Sequence, residues 1–184
     1  MNQTRVSGVF LGCWLLFAGG CATAPKMKDR PALIGDGRVA TAWFEQNVSG
    51  LREQIDDSAG YIVFPSITQW GLGYSGGKWG RGLVNDSDDS QIGWAAISTP
   101  SLGLQAGVQG FKMLVVMEDA GTLESFKKGR LSGSASGVAV VGEAGRSAKV
   151  PFENGVAVYQ GANTGLMAGV NVGLDLLRYE AIED

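Results

Sequence analysis

The sequence predicts a mainly β, α+β fold: a curved antiparallel sheet or β-barrel with short covering helices. Three observations predict it. The 184 residues include 29 glycines, spread without a collagen period between short runs of Val, Ile, Leu and Ala; glycines so placed mark turns, bulges and close backbone contacts. From Gly60 onward the apolar residues recur with period two, as in strands that bury one face. Helical spacing is confined to two short stretches, 38–57 and 120–128.

The first residues are of another kind. Arg5 gives a weakly positive start, and residues 6–17 (VSGVFLGCWLLF) are apolar but for Ser7 and two glycines. That stretch is too short and glycine-broken for a comfortable membrane span and suits the core of a signal peptide. Ala18-Gly19-Gly20-Cys21 follows, resembling the lipobox cut by a lipoprotein signal peptidase, with Ala18 where leucine is usual. Ordinary cleavage after Ala24 would set Pro25 against the cut, and Cys13 as the acylated residue would leave too short an apolar core. The expectation is a signal peptide over 1–20, an acylated Cys21, and a tether over 21–35 containing Pro25, Pro31 and Gly35. Acyl chains bury methylenes at ~0.8 kcal/mol each, so such an anchor is effectively permanent. Ala22 in place of aspartate after the cysteine resembles outer-membrane sorting, which implies a cell-envelope lipoprotein facing the periplasm.

One domain is expected over 36–184. Residues 38–46 place Val39, Ala42, Trp43 and Gln46 at helical spacing behind Asp36 as cap, and Ser49 caps 51–57, where Leu51 and Ile55 are four apart. This helical pair is expected as a lid on the core. Residues 61–64 form a strand stopped by Pro65. Residues 101–109 alternate, with Leu102, Leu104, Ala106 and Val108 on one face; then Phe111, Met113, Val115 and Met117 take over. The phase change predicts a bulge or turn at Gly110 and an exposed Lys112. Asp119 caps a helix over 120–128 that ends at Gly129. Glycine-rich strands follow at 134–141, 155–160 and 165–179, and Gly-Val-Ala-Val recurs at 137–140 and 155–158 without making a true repeat.

Composition excludes several functions. A net charge of −3 argues against bulk attraction to nucleic acid or anionic lipid, so an anionic partner must meet a local patch. Histidine is absent, which removes the commonest general base and transition-metal ligand. Both cysteines, Cys13 and Cys21, lie in the first segment, so the mature domain has no free thiol or disulfide. Glu143, Glu153 and Asp175 are scattered, and no spacing nominates a catalytic pair. No enzyme, cofactor or metal is expected.

Several blocks now line up. Ala59-Gly60-Tyr61-Ile62-Val63-Phe64-Pro65-Ser66 is followed by the glycine run 71–82 and by Pro100-Ser101-Leu102-Gly103-Leu104-Gln105-Ala106-Gly107. Val115-Val116-Met117-Glu118, a helix ending Phe126-Lys127 and the Gly-Val-Ala-Val strands complete the order. Together they resemble the SYLF domain, from about Asp36 to the C-terminus. The family is associated with phospholipid and phosphoinositide binding and, in some eukaryotic members, with actin; its bacterial members are mostly exported, often as lipoproteins. The resemblance implies a non-enzymatic lipid-binding module here. It names no ligand, and phosphoinositide specificity does not carry over to a bacterial envelope.

Individual motifs add little chemistry. Gly71-Leu72-Gly73-Tyr74-Ser75-Gly76 is a literal GxGxxG, yet Gly77-Lys78-Trp79-Gly80-Arg81-Gly82 cannot continue as the helix that a dinucleotide site requires. Trp79 also stands where a P-loop needs a hydroxyl. Residues 86–90 (DSDDS) alternate oxygens as calcium loops do, but Gln91 and Ile97 occupy the glycine and glutamate positions, leaving a solvated turn. Three basic groups face the headgroup hypothesis: Lys26, Lys28 and Arg30 in the tether; Lys78 and Arg81 beside Trp79; and Lys127, Lys128 and Arg130 at a helix end. The last set also complements the helix dipole with no partner at all. Trp70, Tyr74 and Trp79 mark the middle group, because amphipathic rings favour membrane interfaces. The reading is a lipoprotein held to the membrane through acylated Cys21, with Lys78, Trp79, Arg81, Trp70, Tyr74, Lys127, Lys128 and Arg130 as candidate phospholipid-headgroup contacts and no nucleic-acid partner. The alternative is a structural envelope lipoprotein whose ligand is a protein.

Overall fold

The computed structural model describes residues 23–130, 138–141, 147–164 and 177–182. The expected signal peptide, Cys21, most of the strand expected at 165–179, and Glu143 and Asp175 lie outside the described residues. The elements are a 3₁₀ turn at Met27–Asp29, α1 at Arg30–Asn47, β1 at Val48–Ser49, α2 at Leu51–Asp56, β2 at Gly60–Asn85 and β3 at Gln91–Met117. After these come α3 at Ala120–Lys127, β4 at Val138–Val141, β5 at Ser147–Ala148, β6 at Val156–Thr164 and β7 at Leu177–Ala181. The fold is α+β, with a curved, unclosed sheet and short flanking helices.

Two very long strands organise it. β2 and β3 pair antiparallel from Gly60↔Met117 to Asn85↔Gln91, around the 86–90 turn. Along β3's other edge, β6 pairs from Gly110 to Met117 and β7 pairs from Gly93 to Ile97, both antiparallel. β4 adds to β6 in parallel, and β1 and β5 form a separate parallel pair. The antiparallel expectation therefore holds for the main ribbon but not for these two short pairings.

The ribbon doubles back on itself. Val63 and Gly82 would stand roughly 60 Å apart on a straight strand rising ~3.3 Å per residue. Instead, a Cβ at Gly82 would lie 2.5 Å from the Val63 carbonyl oxygen and 2.8 Å from the Phe64 ring. The fold-over falls around the register shift between Gly73 and Ser75. The glycine run is thus the surface on which one half of β2 lies against the other.

Doubling gives the ribbon an inner and an outer face. Ile62, Phe64, Ile67, Val84, Ala95, Ile97, Phe111, Met113, Val115 and Met117 point inward, where α3 adds Leu123 and Phe126. Tyr61, Val63, Leu83, Trp94, Leu114 and Val116 point outward, under Phe44 of α1 and Leu51 and Ile55 of α2. The helical pair is a lid, as expected, but its buried stripe differs. Gly37, Ala40, Thr41 and Phe44 face the sheet, while Val39 is 72% exposed and Ala42 is exposed. The helix also begins eight residues before Arg38. Pro31 sits in the first turn, where its missing N–H is not needed. Gly37, which precedes the expected helix start, must be small because a Cβ there would overlap the Leu83 side chain. Gly50, with φ +78, and not Ser49 caps α2.

Pro65 does not stop its strand. β2 continues through a register shift between Phe64 and Ile67, where a missing N–H costs no ladder bond. Likewise no bulge interrupts the β2–β3 register at Gly110; the irregularity is in the pairing with β6. The apolar phase changes because Val108 lies on the outer face and Phe111 on the inner one. Lys112 is half-buried, its Nζ 4.1 Å from the Trp43 ring centre, and burial lowers its pKa. α3 follows its expectation closely: the Asp119 carboxylate accepts from the Thr122 N–H at 2.8 Å, and Gly129 takes φ +65.

Candidate functional site

α1 and α2 cover only the half of the outer face nearest the 86–90 turn. Toward the fold-over no helix among the described residues covers the same face. Trp70 pairs with Val108 and Trp79 pairs with Ser98 across β2 and β3. Trp70, Trp79 and Val108 are 44%, 55% and 74% exposed, in a molecule that buries most of its large apolar side chains. The Trp70 indole lies over Gly77, two residues before Trp79 on the same face, with Nε1 3.5 Å from where a Cβ would stand. These side chains therefore form one apolar strip. Arg81 continues it, two residues beyond Trp79 and exposed.

The remaining sequence candidates divide. Lys78 alternates to the opposite face of β2, the one that carries Gly80 and Val84. Tyr74 belongs to β2 at the fold-over. Lys127, Lys128 and Arg130 are on and just after α3, against the inner face, away from the Trp70–Arg81 strip. Lys127 and Lys128 bind the Glu124 carboxylate at 3.1 and 3.8 Å, and Lys127 chiefly holds that carboxyl below its usual range. They are thus partly neutralised on their own helix. The structure brings together Trp70, Trp79 and Arg81 and does not bring the α3 cations to them.

Arg178 was missed. β7 pairs with β3 so that Ala96 stands between Arg81 on one side and Arg178 on the other. Leu177 joins the inner cluster, so Arg178 takes the outer face beside Arg81, and it is exposed. No sequence signal marks this residue, because its neighbourhood depends on a strand pairing between distant segments.

Of the segment expected as a tether, residues 23–35 differ from a free linker. Thr23, Ala24 and Pro25 are buried, and the Ala24 N–H donates to Glu180 Oε2 at 2.9 Å. Arg30 lies 5.5 Å over the Trp94 ring and Lys26 and Lys28 are exposed.

A second polar region lies at the far end of the ribbon. The Tyr61 hydroxyl donates to Asp89 at 2.7 Å, and Arg52 binds Glu45 at 3.2 Å, Asp89 at 3.0 Å, Asp56, and the Ser87 carbonyl at 3.0 Å. Asp86 accepts from the Asp88 and Ser90 N–H groups, so the acidic run is a closed turn pinned by one guanidinium. A cleft of about 330 Å³ borders this knot, between α1 and Tyr61, Asn85 and Gln91. Burial, chiefly, and the Asp89 hydrogen bond raise the Tyr61 pKa; the Asp56 hydrogen bond chiefly raises that of Arg52. The Arg52 guanidinium, the Tyr61 hydroxyl and the Asp89 carboxylate are thus engaged with one another or with their neighbours. Among the described residues no group of three or more His, Cys, Asp or Glu is arranged to hold a metal ion.

Compared with known proteins, the chain matches no family model and no curated protein.

Proposed function

We propose that this chain is an acylated envelope lipoprotein of SYLF type whose domain contacts phospholipid through the exposed aromatic strip on the outer face of its doubled ribbon. The observation that supports it best is the strip of Trp70, Val108 and Trp79, exposed together and continued by Arg81. Two indoles beside a guanidinium suit the headgroup boundary, where a ring leaves water while its N–H stays wet. Acylation at Cys21 supplies proximity, and the face supplies weak contact made effective by that proximity.

The test is vesicle binding by the polypeptide beginning at Ala22, which lacks the acyl chains but keeps every described element. Binding shifts tryptophan emission to the blue. Removing half of a ~200 Å² indole from water at ~25 cal/mol per Å² is worth about 2.5 kcal/mol at most, and about half that at an interface. Trp79→Ser therefore lowers partitioning about tenfold. No binding to any vesicle refutes the reading, and a stoichiometric protein crosslinked to this face in the envelope replaces it with the protein-partner alternative. Acylation is checked separately: mass spectrometry of the mature chain finds Cys21 first and fatty-acylated.

A further inference from the structure

We infer that Arg81 and Arg178 form a two-guanidinium cradle for the phosphate of an anionic phospholipid headgroup. We infer also that the packed N-terminus sets this cradle against the bilayer to which Cys21 is joined. The inference rests on the proposed lipid contact and adds its chemistry and its orientation.

Three adjacent strands carry the cradle. Arg81↔Ala96 and Ala96↔Arg178 are consecutive register pairs, so the two arginines stand in one row on the outer face. Two interstrand spacings put their Cα atoms about 10 Å apart. Ala96 between them carries only a methyl group. The next row holds Trp79↔Ser98, both exposed, which places an indole beside the cradle where the acyl–headgroup boundary of a lipid would lie. Paired guanidinium forks match phosphate oxygens better than a lysine point charge does.

The N-terminus fixes which side of the domain meets the membrane. Ala24 is tied to Glu180, and Glu180 lies two residues beyond Arg178 on the same face of β7. Cys21 precedes Ala24 by three residues, a span of about 11 Å at most. An anchor at Cys21 therefore holds the bilayer close to Arg178. The charges exposed nearby, Lys26 and Lys28, have the sign that an anionic surface attracts. A flexible tether would leave the orientation open; the buried Thr23–Pro25 segment leaves only a short reach to Cys21.

The experiment compares partitioning of the Ala22–184 polypeptide into phosphatidylethanolamine vesicles with and without phosphatidylglycerol. Arg81→Gln and Arg178→Gln are each expected to lower binding about fivefold, only where phosphatidylglycerol is present. Arg178→Lys, which keeps the charge, is expected to retain the phosphatidylglycerol preference, and Lys127→Gln on α3 to leave binding unchanged. Unchanged thermal midpoints establish that the variants fold. Binding that is equal in both vesicles and indifferent to Arg81 and Arg178 overturns the cradle while leaving the aromatic contact standing. Displacement by millimolar glycerol 3-phosphate overturns the assignment to a membrane headgroup in favour of a free phosphate. Absence of binding to either vesicle overturns the lipid reading and the cradle with it.

Discussion

Gly82→Ala is the sharpest test of the doubled ribbon. A methyl group there meets the Val63 carbonyl oxygen at 2.5 Å and the Phe64 ring at 2.8 Å. The first of these is backbone, and Phe64 is fully buried in the inner cluster, so neither can yield without moving the strand crossing. Overpacking of that kind costs about 1–3 kcal/mol. Gly35→Ala supplies the control, since its methyl group finds nothing within 4 Å and α1 is helical through that position. There the same change gains about 0.5–1 kcal/mol, by limiting the unfolded chain and favouring helix. For a domain of this size each kcal/mol moves the thermal midpoint by about 2–4 °C. Thermal unfolding of the two variants should move in opposite directions, with Gly82→Ala several degrees lower. Were Gly82→Ala neutral, the halves of β2 would not lie against each other, and the outer face would not be partitioned as described.

Burial holds the Tyr61 phenol above its ordinary pKa of 10, and the phenol must lose its proton more readily once unfolded. Its contribution to stability is therefore full below about pH 10 and lost as pH rises beyond that value through the folded-state pKa. Denaturation followed from pH 8 to 11 should show a falloff that Tyr61→Phe lessens; an identical falloff in the variant would assign it to other groups, Tyr159 first, whose pKa burial also raises. Arg52→Met frees Asp56, Asp89 and Glu45, yet these pairs are partly solvated, so global stability should fall by no more than about 1 kcal/mol. Amide exchange at Asp88 and Ser90 should quicken instead, and unchanged exchange there would show that the turn holds itself. Asp119→Ala removes the α3 cap and should cost about 1 kcal/mol in urea unfolding.

What the sequence made legible was local. The α3 cap, the acidic turn at 86–90 and the inward alternation of 111–117 each depend on residues a few positions apart, and each is found. The sequence did not reveal what lies opposite a glycine. Nothing in residues 30–47 announces that Leu83 will press against Gly37. Gly71 to Gly82 read as turns because a glycine that admits another strand looks the same as one that bends its own. The site shows the same division. Trp70, Trp79 and Arg81 share twelve residues and were legible as a group; Arg178 joins them only through the pairing of β7 with β3.

The acidic balance of the chain is compatible with a phosphate cradle because of where the carboxylates stand. Asp86, Asp88 and Asp89 occupy the turn beyond β2, and Asp86 lies five residues past Arg81, about 16 Å along the strand. That is about two Debye lengths at physiological ionic strength, so these charges are largely screened from the arginines. Asp89, moreover, is already engaged by Arg52 and Tyr61. Glu180 is the nearer carboxylate, one β-strand repeat from Arg178, and it accepts the Ala24 N–H. On the proposed lipid reading, a membrane meets the arginine row and the indoles first, and meets the acidic turn only if the domain tips over. The ion-paired turn at one end and the exposed Trp70, Trp79, Arg81 and Arg178 toward the other would, on the proposed reading, give a net-negative molecule one side that an anionic surface attracts. Under the proposed acylation of Cys21, the buried segment at Thr23–Pro25 keeps this side near the anchor.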